Sequence, residues 1–145
     1  MSDFRKLADA VYASPQIGVS EIAEAKELGV TLVINNRPEG ESEDQTSGHE
    51  IEAAARAAGM AYLAIPVTMQ SLSENDVEAM ARALAEASGP VLAYCRSGTR
   101  STLLWSLAQA LRGEDPEALA AAAAAAGYDV SPVRAAMETL AARQE

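Results

Sequence analysis

A chain of 145 residues, 49% of them apolar, is long enough for one domain with a buried core. Its net charge of −10 argues against nucleic acid or an anionic membrane surface as a partner, and a single cysteine excludes an internal disulfide and a Cys-pair zinc site. No apolar run approaches the roughly 18 residues of a membrane span, and nothing at the N-terminus reads as a signal peptide, so a cytoplasmic, reducing setting is expected.

Strand-like and helix-like patterns alternate along the chain. Phe4 to Leu7 and Ala10 to Ala13 are expected as one or two short edge strands. Ser20 reads as the N-cap of a helix through Ile22, Ala25 and Leu28, stopped by Gly29. Val30 to Ile34, β-branched and uncharged, predicts a buried strand. Asn35 to Ser47, polar with Pro38 and Gly40, reads as a long loop. A helix from His49 to Ala58 ends at Gly59, and Met60 to Val67 reads as a strand closed by Pro66. Ser73, with Asp76 three residues on, predicts a capped helix to Ala87. The strand Val91 to Tyr94 follows, then a loop, then a helical pattern from Thr102 to Leu111. Beyond Gly113, helices are expected over about Pro116 to Ala126 and Ser131 to Arg143, the alanine run included because alanine is the best helix former. The whole, 1–145, reads as one α/β domain with a parallel or mixed central sheet covered by helices.

The segment Tyr94-Cys95-Arg96-Ser97-Gly98-Thr99-Arg100-Ser101 carries the chemistry. It places the only cysteine at a strand-to-helix turn, beyond the carboxyl end of a strand, where sites lie in such sheets. Backbone N–H groups of the turn and the positive end of the helix form an anion cradle, and such surroundings favour the thiolate of a cysteine. Cys95 is the expected nucleophile and Arg100 the main anion ligand, with Arg96 beside the thiol or on substrate. Ser97, Gly98 and Thr99 would line the cradle, Gly98 permitting a turn that a Cβ would hinder. The Ser101 hydroxyl is a candidate donor to the thiolate or the leaving group. The loops Asn35 to Arg37 and Thr68 to Ser71 should converge on the same pocket, with Arg37 either a second anion ligand or paired with the acidic loop that follows it. Asn35 and Asn36 read as turn formers. His49, alone on an exposed helix start, carries no metal or catalytic role, and Trp105, Leu104 and Leu111 belong to the core. No cofactor and no metal are called for.

Four residues separate Cys95 from Arg100, the length and wording of the rhodanese loop Cys-Arg-x-Gly-x-Arg; phosphatases of the tyrosine and dual-specificity type have five and a histidine where Tyr94 stands. A wider set of pieces, Val33-Ile34-Asn35-Asn36-Arg37-Pro38 with Gly40-Glu41, Ala64-Ile65-Pro66-Val67, the Cys95 loop, and Ala126-Gly127-Tyr128-Asp129, resembles one bacterial family. This is the phosphatase-like domain of the beta-lactamase hydrolase-like proteins, also known as a sulfur transferase family. The resemblance implies a fold like dual-specificity phosphatases, with a central, mainly parallel sheet and helices on both faces.

Two chemistries share a Cys95 nucleophile. Phosphoryl transfer normally needs a general acid for the leaving group, worth about a hundredfold to ten-thousandfold, yet Ile65 to Leu72 contains no acid. Glu74 and Asp76 read as helix-capping residues, and nothing places Glu39, Glu41, Glu43 or Asp44 at the site. The short loop, the missing acid and Tyr94 favour a rhodanese-type sulfurtransferase working through a Cys95 persulfide on thiosulfate or another persulfide. A phosphatase working through a phosphocysteine on a phosphate ester is the alternative. A non-catalytic anion- or persulfide-binding module is the second alternative. In each case the partner is a small anion, not nucleic acid or membrane, and the sequence leaves the oligomeric state open.

Overall fold

Five four-residue strands build the sheet of the computed structural model, which describes residues 2–143. In chain order these are β1 (Arg5–Ala8), β2 (Val11–Ser14), α1 (Val19–Glu27), β3 (Leu32–Asn35), α2 (Gly48–Ala57), β4 (Ala61–Ala64) and α3 (Glu74–Glu86). β5 (Val91–Tyr94), α4 (Thr99–Leu111), α5 (Pro116–Ala125), a 3-10 turn (Ser131–Val133) and α6 (Arg134–Ala142) complete it. The strand order is β1-β2-β5-β3-β4, with β1 antiparallel and the other neighbours parallel. This is the mainly parallel sheet with helices on both faces that the sequence implied.

Strand alternation divides the core. Val91 and Ala93 of β5 turn toward α3, α4, α5 and α6, whereas Leu92 and Tyr94 turn toward Ile22 of α1 and Ile51 of α2. α4 lies in the middle of the first layer, buried from Ser101 to Ala108, which is why its sequence shows no polar face. Trp105 and Leu104 are core, as expected. Thr102 Oγ and Ser106 Oγ donate back to the carbonyls of Gly98 and Leu103, which allows two hydroxyls inside that layer. The caps read from sequence hold for α3, where Ser73 and Asp76 bond reciprocally.

Several boundaries differ for identifiable reasons. β2 is interior rather than an edge strand, because Val11 to Ser14 pairs in parallel with β5 over its whole length. α1 begins after Gly18 rather than Ser20, since the Glu21 carboxylate reaches back to the Gly18 N–H. β4 stops at Ala64, ahead of Pro66, but Ile65 N and Val67 N go on bonding to the carbonyls of Asn35 and Asn36. The last expected helix splits into the 3-10 turn and α6. Among the described residues no helix is long and apolar enough to cross a membrane, and no three His, Cys, Asp or Glu side chains gather as around a metal ion.

Candidate active site

β5 runs straight into the chemistry. Its next residue, Cys95, is fully buried and its N–H donates to the carbonyl of Ser14, at the end of β2 (3.3 Å). The chain then turns through Arg96, Ser97 and Gly98, whose φ of +93° only a glycine adopts easily, and enters α4 at Thr99. The helix thus begins three residues earlier than its sequence pattern suggested, and Arg100 and Ser101 belong to its first turn. The first amides of a helix have no carbonyl partner within it, so they and the helix dipole make the space beside Cys95 attractive to an anion. Gly98 N–H already points at the Cys95 sulfur, 3.1 Å away. Ser97 Oγ donates to Thr99 Oγ (3.0 Å), and both residues, like Arg96, are exposed at the rim.

Arg100 is held from behind. Its Nη1 donates to Glu41 Oε2 (2.7 Å) and to the Val67 carbonyl (2.9 Å), and its Nη2 donates to Glu41 Oε1 (2.9 Å). A guanidinium has five N–H donors in a fixed fork. Three are committed here, which leaves the Nε–H and the second Nη2–H, side by side on one edge of the plane. The Glu41 hydrogen bonds, and after them the nearby Cys95 sulfur, bind the Arg100 proton more tightly than usual. Glu41 also accepts from Arg37 Nε (2.9 Å), and the guanidinium of Arg100 first, then that of Arg37, holds its carboxyl down at about 2. Glu41 is therefore ionised at neutral pH and has no proton to donate.

Of the two readings of Arg37, the arrangement matches pairing with the acidic loop. Arg37 is buried, and besides Glu41 it donates to Gln16 Oε1 (3.0 Å) and Ser42 Oγ (3.2 Å). Its contacts brace the β2 and β3 loops against each other. Ser101 also differs from expectation: its hydroxyl donates to Asn36 Oδ1 (2.8 Å), not to the sulfur. Asn36 is fully buried and joins three strand ends, since its N–H donates to the Tyr94 carbonyl and its Nδ2 to the Ile65 carbonyl (3.0 Å). Tyr94 lies on the opposite face of the sheet from the cradle, in the cluster with Val33, Ile51 and Leu92. Burial first, with the Glu39 carboxylate adding to it, keeps its phenol firmly protonated.

Four of the other candidate carboxylates have partners of their own, among them Asp44, which accepts from Ser42 Oγ (2.7 Å) within the field of Arg37 and Arg96. Asp76 caps α3 through Ser73, Glu74 pairs with Arg143, and Glu39 accepts from Gly48 N–H. The expected convergence of three loops is observed, with Val67 rather than the Thr68 to Ser71 turn making the contact to Arg100. A fourth segment joins them: Ser14 at the end of β2 and Gln16 just beyond it, Gln16 N–H donating to the Arg96 carbonyl (3.2 Å). Glu41, Asn36 and Gln16 are the residues that sequence reasoning did not assign. The one local hint is Arg37 lying four residues before Glu41.

In sequence and in fold the chain is similar to phosphatase-like proteins. The family model for the phosphatase-like domain of beta-lactamase hydrolase-like protein matches residues 3–112. A beta-lactamase hydrolase-like protein of Xylella fastidiosa (strain Temecula1) is 39% identical over 100 residues, covering 69% of this chain and 23% of the relative. The chain therefore matches less than a quarter of that relative's length. A candidate phosphatase of Neisseria meningitidis of known crystal structure is 32% identical, with a TM-score of 0.84 over 97% of this chain and 99% of its own. P. aeruginosa TpbA, solved as a cysteine-to-serine variant in complex with phosphotyrosine, shares the fold: TM-score 0.62 at 21% identity over 94% of this chain and 90% of its own.

Proposed function

We propose, from the premise that this chain belongs to the beta-lactamase hydrolase-like phosphatase-like domain family, that it is a cysteine-dependent phosphatase acting on phosphate monoesters. Cys95 Sγ attacks phosphorus, the bond from phosphorus to the leaving oxygen breaks, and the phosphoryl group rests on sulfur. Water then attacks phosphorus, the S–P bond breaks, inorganic phosphate departs and Cys95 is regenerated. The edge of Arg100 left free by Glu41 and Val67 grips two phosphoryl oxygens, and the amides from Arg96 to Arg100 receive the others. Exposed Arg96 contacts the substrate beyond its phosphate, and the Ser97 and Thr99 hydroxyls shape the rim. The observation that carries this reading is that Arg100, with three of its five donors held by Glu41 and Val67, is electrostatically coupled to a sulfur that already accepts the Gly98 N–H. The phosphotyrosine bound to a protein of the same fold makes aryl phosphates the first class to assay.

Sulfur transfer is the second reading, supported by the four-residue spacing from Cys95 to Arg100 and by the lack of an acid between Ile65 and Leu72. We rank it behind phosphoryl transfer because of the likeness to phosphatases in family and fold. Incubation with an aryl phosphate, and separately with thiosulfate plus cyanide, separates the two. Phosphate release with a phosphocysteine trapped in mass spectrometry is the expected result. Thiocyanate and a persulfide without phosphate release would reverse the order, and neither product would leave an anion-binding module.

A further inference from the structure

We propose that Tyr128 is a positioning residue for the Cys95 loop: its hydroxyl grips the Ser97 carbonyl from outside and so keeps the Gly98 N–H aimed at the sulfur. The inference rests on the reading of that loop as the anion cradle. Tyr128 Oη donates to the Ser97 carbonyl oxygen (3.1 Å), and Gly98 N–H donates to Cys95 Sγ (3.1 Å). The carbonyl and the N–H belong to one peptide unit. In a planar trans peptide they point in opposite directions, so fixing the oxygen outward fixes the hydrogen inward. Without the phenol, rotation of this unit would turn a carbonyl dipole toward the sulfur and the bound anion.

The fit around Gly98 supports the assignment independently. A Cβ built on Gly98 would lie 2.0 Å from Tyr128 Oη, so glycine here serves the approach of the tyrosine as well as the positive φ. Tyr128 is itself fixed. It follows Gly127 at the left-handed end of α5 (φ +92°), its N–H donates to the Ala123 carbonyl (2.9 Å), and the Arg5 guanidinium covers its ring at 5.0 Å. Arg5 also donates to the Ala126 carbonyl (3.2 Å), so the first strand and the α5 terminus together carry the phenol to the loop. Burial keeps that phenol protonated, hence a donor. Tyr128 lies outside residues 3–112, the extent of the family match.

Tyr128→Phe keeps the ring and its contact with Arg5 and removes the hydroxyl alone. The test compares the variant with the wild type in the rate of Cys95 alkylation by iodoacetamide near neutral pH, well below the melting temperature, and in protection of Cys95 by inorganic phosphate. Both are expected to fall about tenfold, the value of one hydrogen bond to a charged group, while the far-ultraviolet circular dichroism stays unchanged. Equal alkylation and equal protection, whatever happens to the melting temperature, overturn the proposal and leave Tyr128 a packing residue. Both readouts are independent of turnover. A wild type that releases no phosphate from aryl esters would refute the phosphatase reading, and the alkylation comparison would still judge Tyr128.

Discussion

Glu41 can be removed in charge alone by Glu41→Gln, and the structure sets both the size and the pH dependence of the effect. Its carboxyl falls from 4.5 to about 2 on folding, under the Arg100 guanidinium first and Arg37 next. A displacement of that size is linked to about 3 kcal/mol of stability. The side chain keeps 24% of its surface open to water, so solvent screening reduces the figure to about 1–2 kcal/mol. The folded-state value lies below the unfolded one, so the stabilisation is complete above about 4.5 and disappears as the pH falls toward 2. Urea unfolding should therefore show the variant about 1–2 kcal/mol less stable near neutral pH, with the gap closing in acid.

The same substitution separates two roles in catalysis. The glutamine amide would present N–H groups to a guanidinium that also presents N–H groups, so one of the two Glu41 contacts to Arg100 is lost while the Val67 contact remains. Turnover of an aryl phosphate is expected to fall about five- to thirtyfold, the kinetic equivalent of about 1–2 kcal/mol. Removing a negative charge draws a dianion in, so KM should hold or fall while kcat drops. A stability gap that is the same in acid and at neutral pH would refute the electrostatic account. A kcat that is unchanged or higher would show that Glu41 competes with substrate for Arg100 instead of holding it.

Cys95→Ser should reduce aryl phosphate turnover by at least about a thousandfold, since a serine hydroxyl without an adjacent base is a poor nucleophile. Phosphate binding, followed by calorimetry, should survive in that variant because Arg100 and the amides remain. Asn36→Ala leaves the Ser101 hydroxyl and the Ile65 carbonyl buried without their partner, which should cost about 2–3 kcal/mol. A melting temperature within a degree or so of wild type would contradict that network.

What the sequence discloses about this fold is local. Val91 to Tyr94 and the Ser73 cap of α3 read at their observed places because their signals, an uncharged apolar run beside a proline and a capping pair, lie within a few residues. The Cys95 loop is legible for the same reason. The start of α4 is not: Gly98 in the left-handed region lets the helix begin at Thr99, and no apolar periodicity marks that first turn. The interior place of β2 depends on its pairing with β5, about 80 residues away. The Glu41 contact to Arg100 likewise joins residues 59 apart, within a loop whose four acidic residues look equivalent in sequence. Asn36 reads as a turn former because its bonds run to Ile65 and Ser101, neither of them nearby in the chain. Tyr128 stands in the Ala126 to Asp129 piece that the sequence singles out, but its contact is with the Ser97 carbonyl, and backbone acceptors leave no trace in side-chain patterns.

The reading of the reaction makes one demand on substrates that follows from where the carboxylates are. A departing alkoxide needs a proton, and the segment Val67 to Ser71, which contacts Arg100 through Val67, carries no acid. Glu41 is close but ionised, Asp44 is held in its ionised form by the Ser42 hydroxyl first and then by Arg37 and Arg96, and Asp76 and Glu74 are occupied at α3. Without a donor worth about a hundredfold to ten-thousandfold, the leaving oxygen must bear its own negative charge in the transition state. Rates across a series of substituted phenyl phosphates should therefore rise steeply as the phenol becomes more acidic, and alkyl phosphates should be poor substrates. A flat dependence on leaving-group acidity, with alkyl and aryl esters cleaved alike, would require a proton donor at the site and would refute this account of the carboxylates.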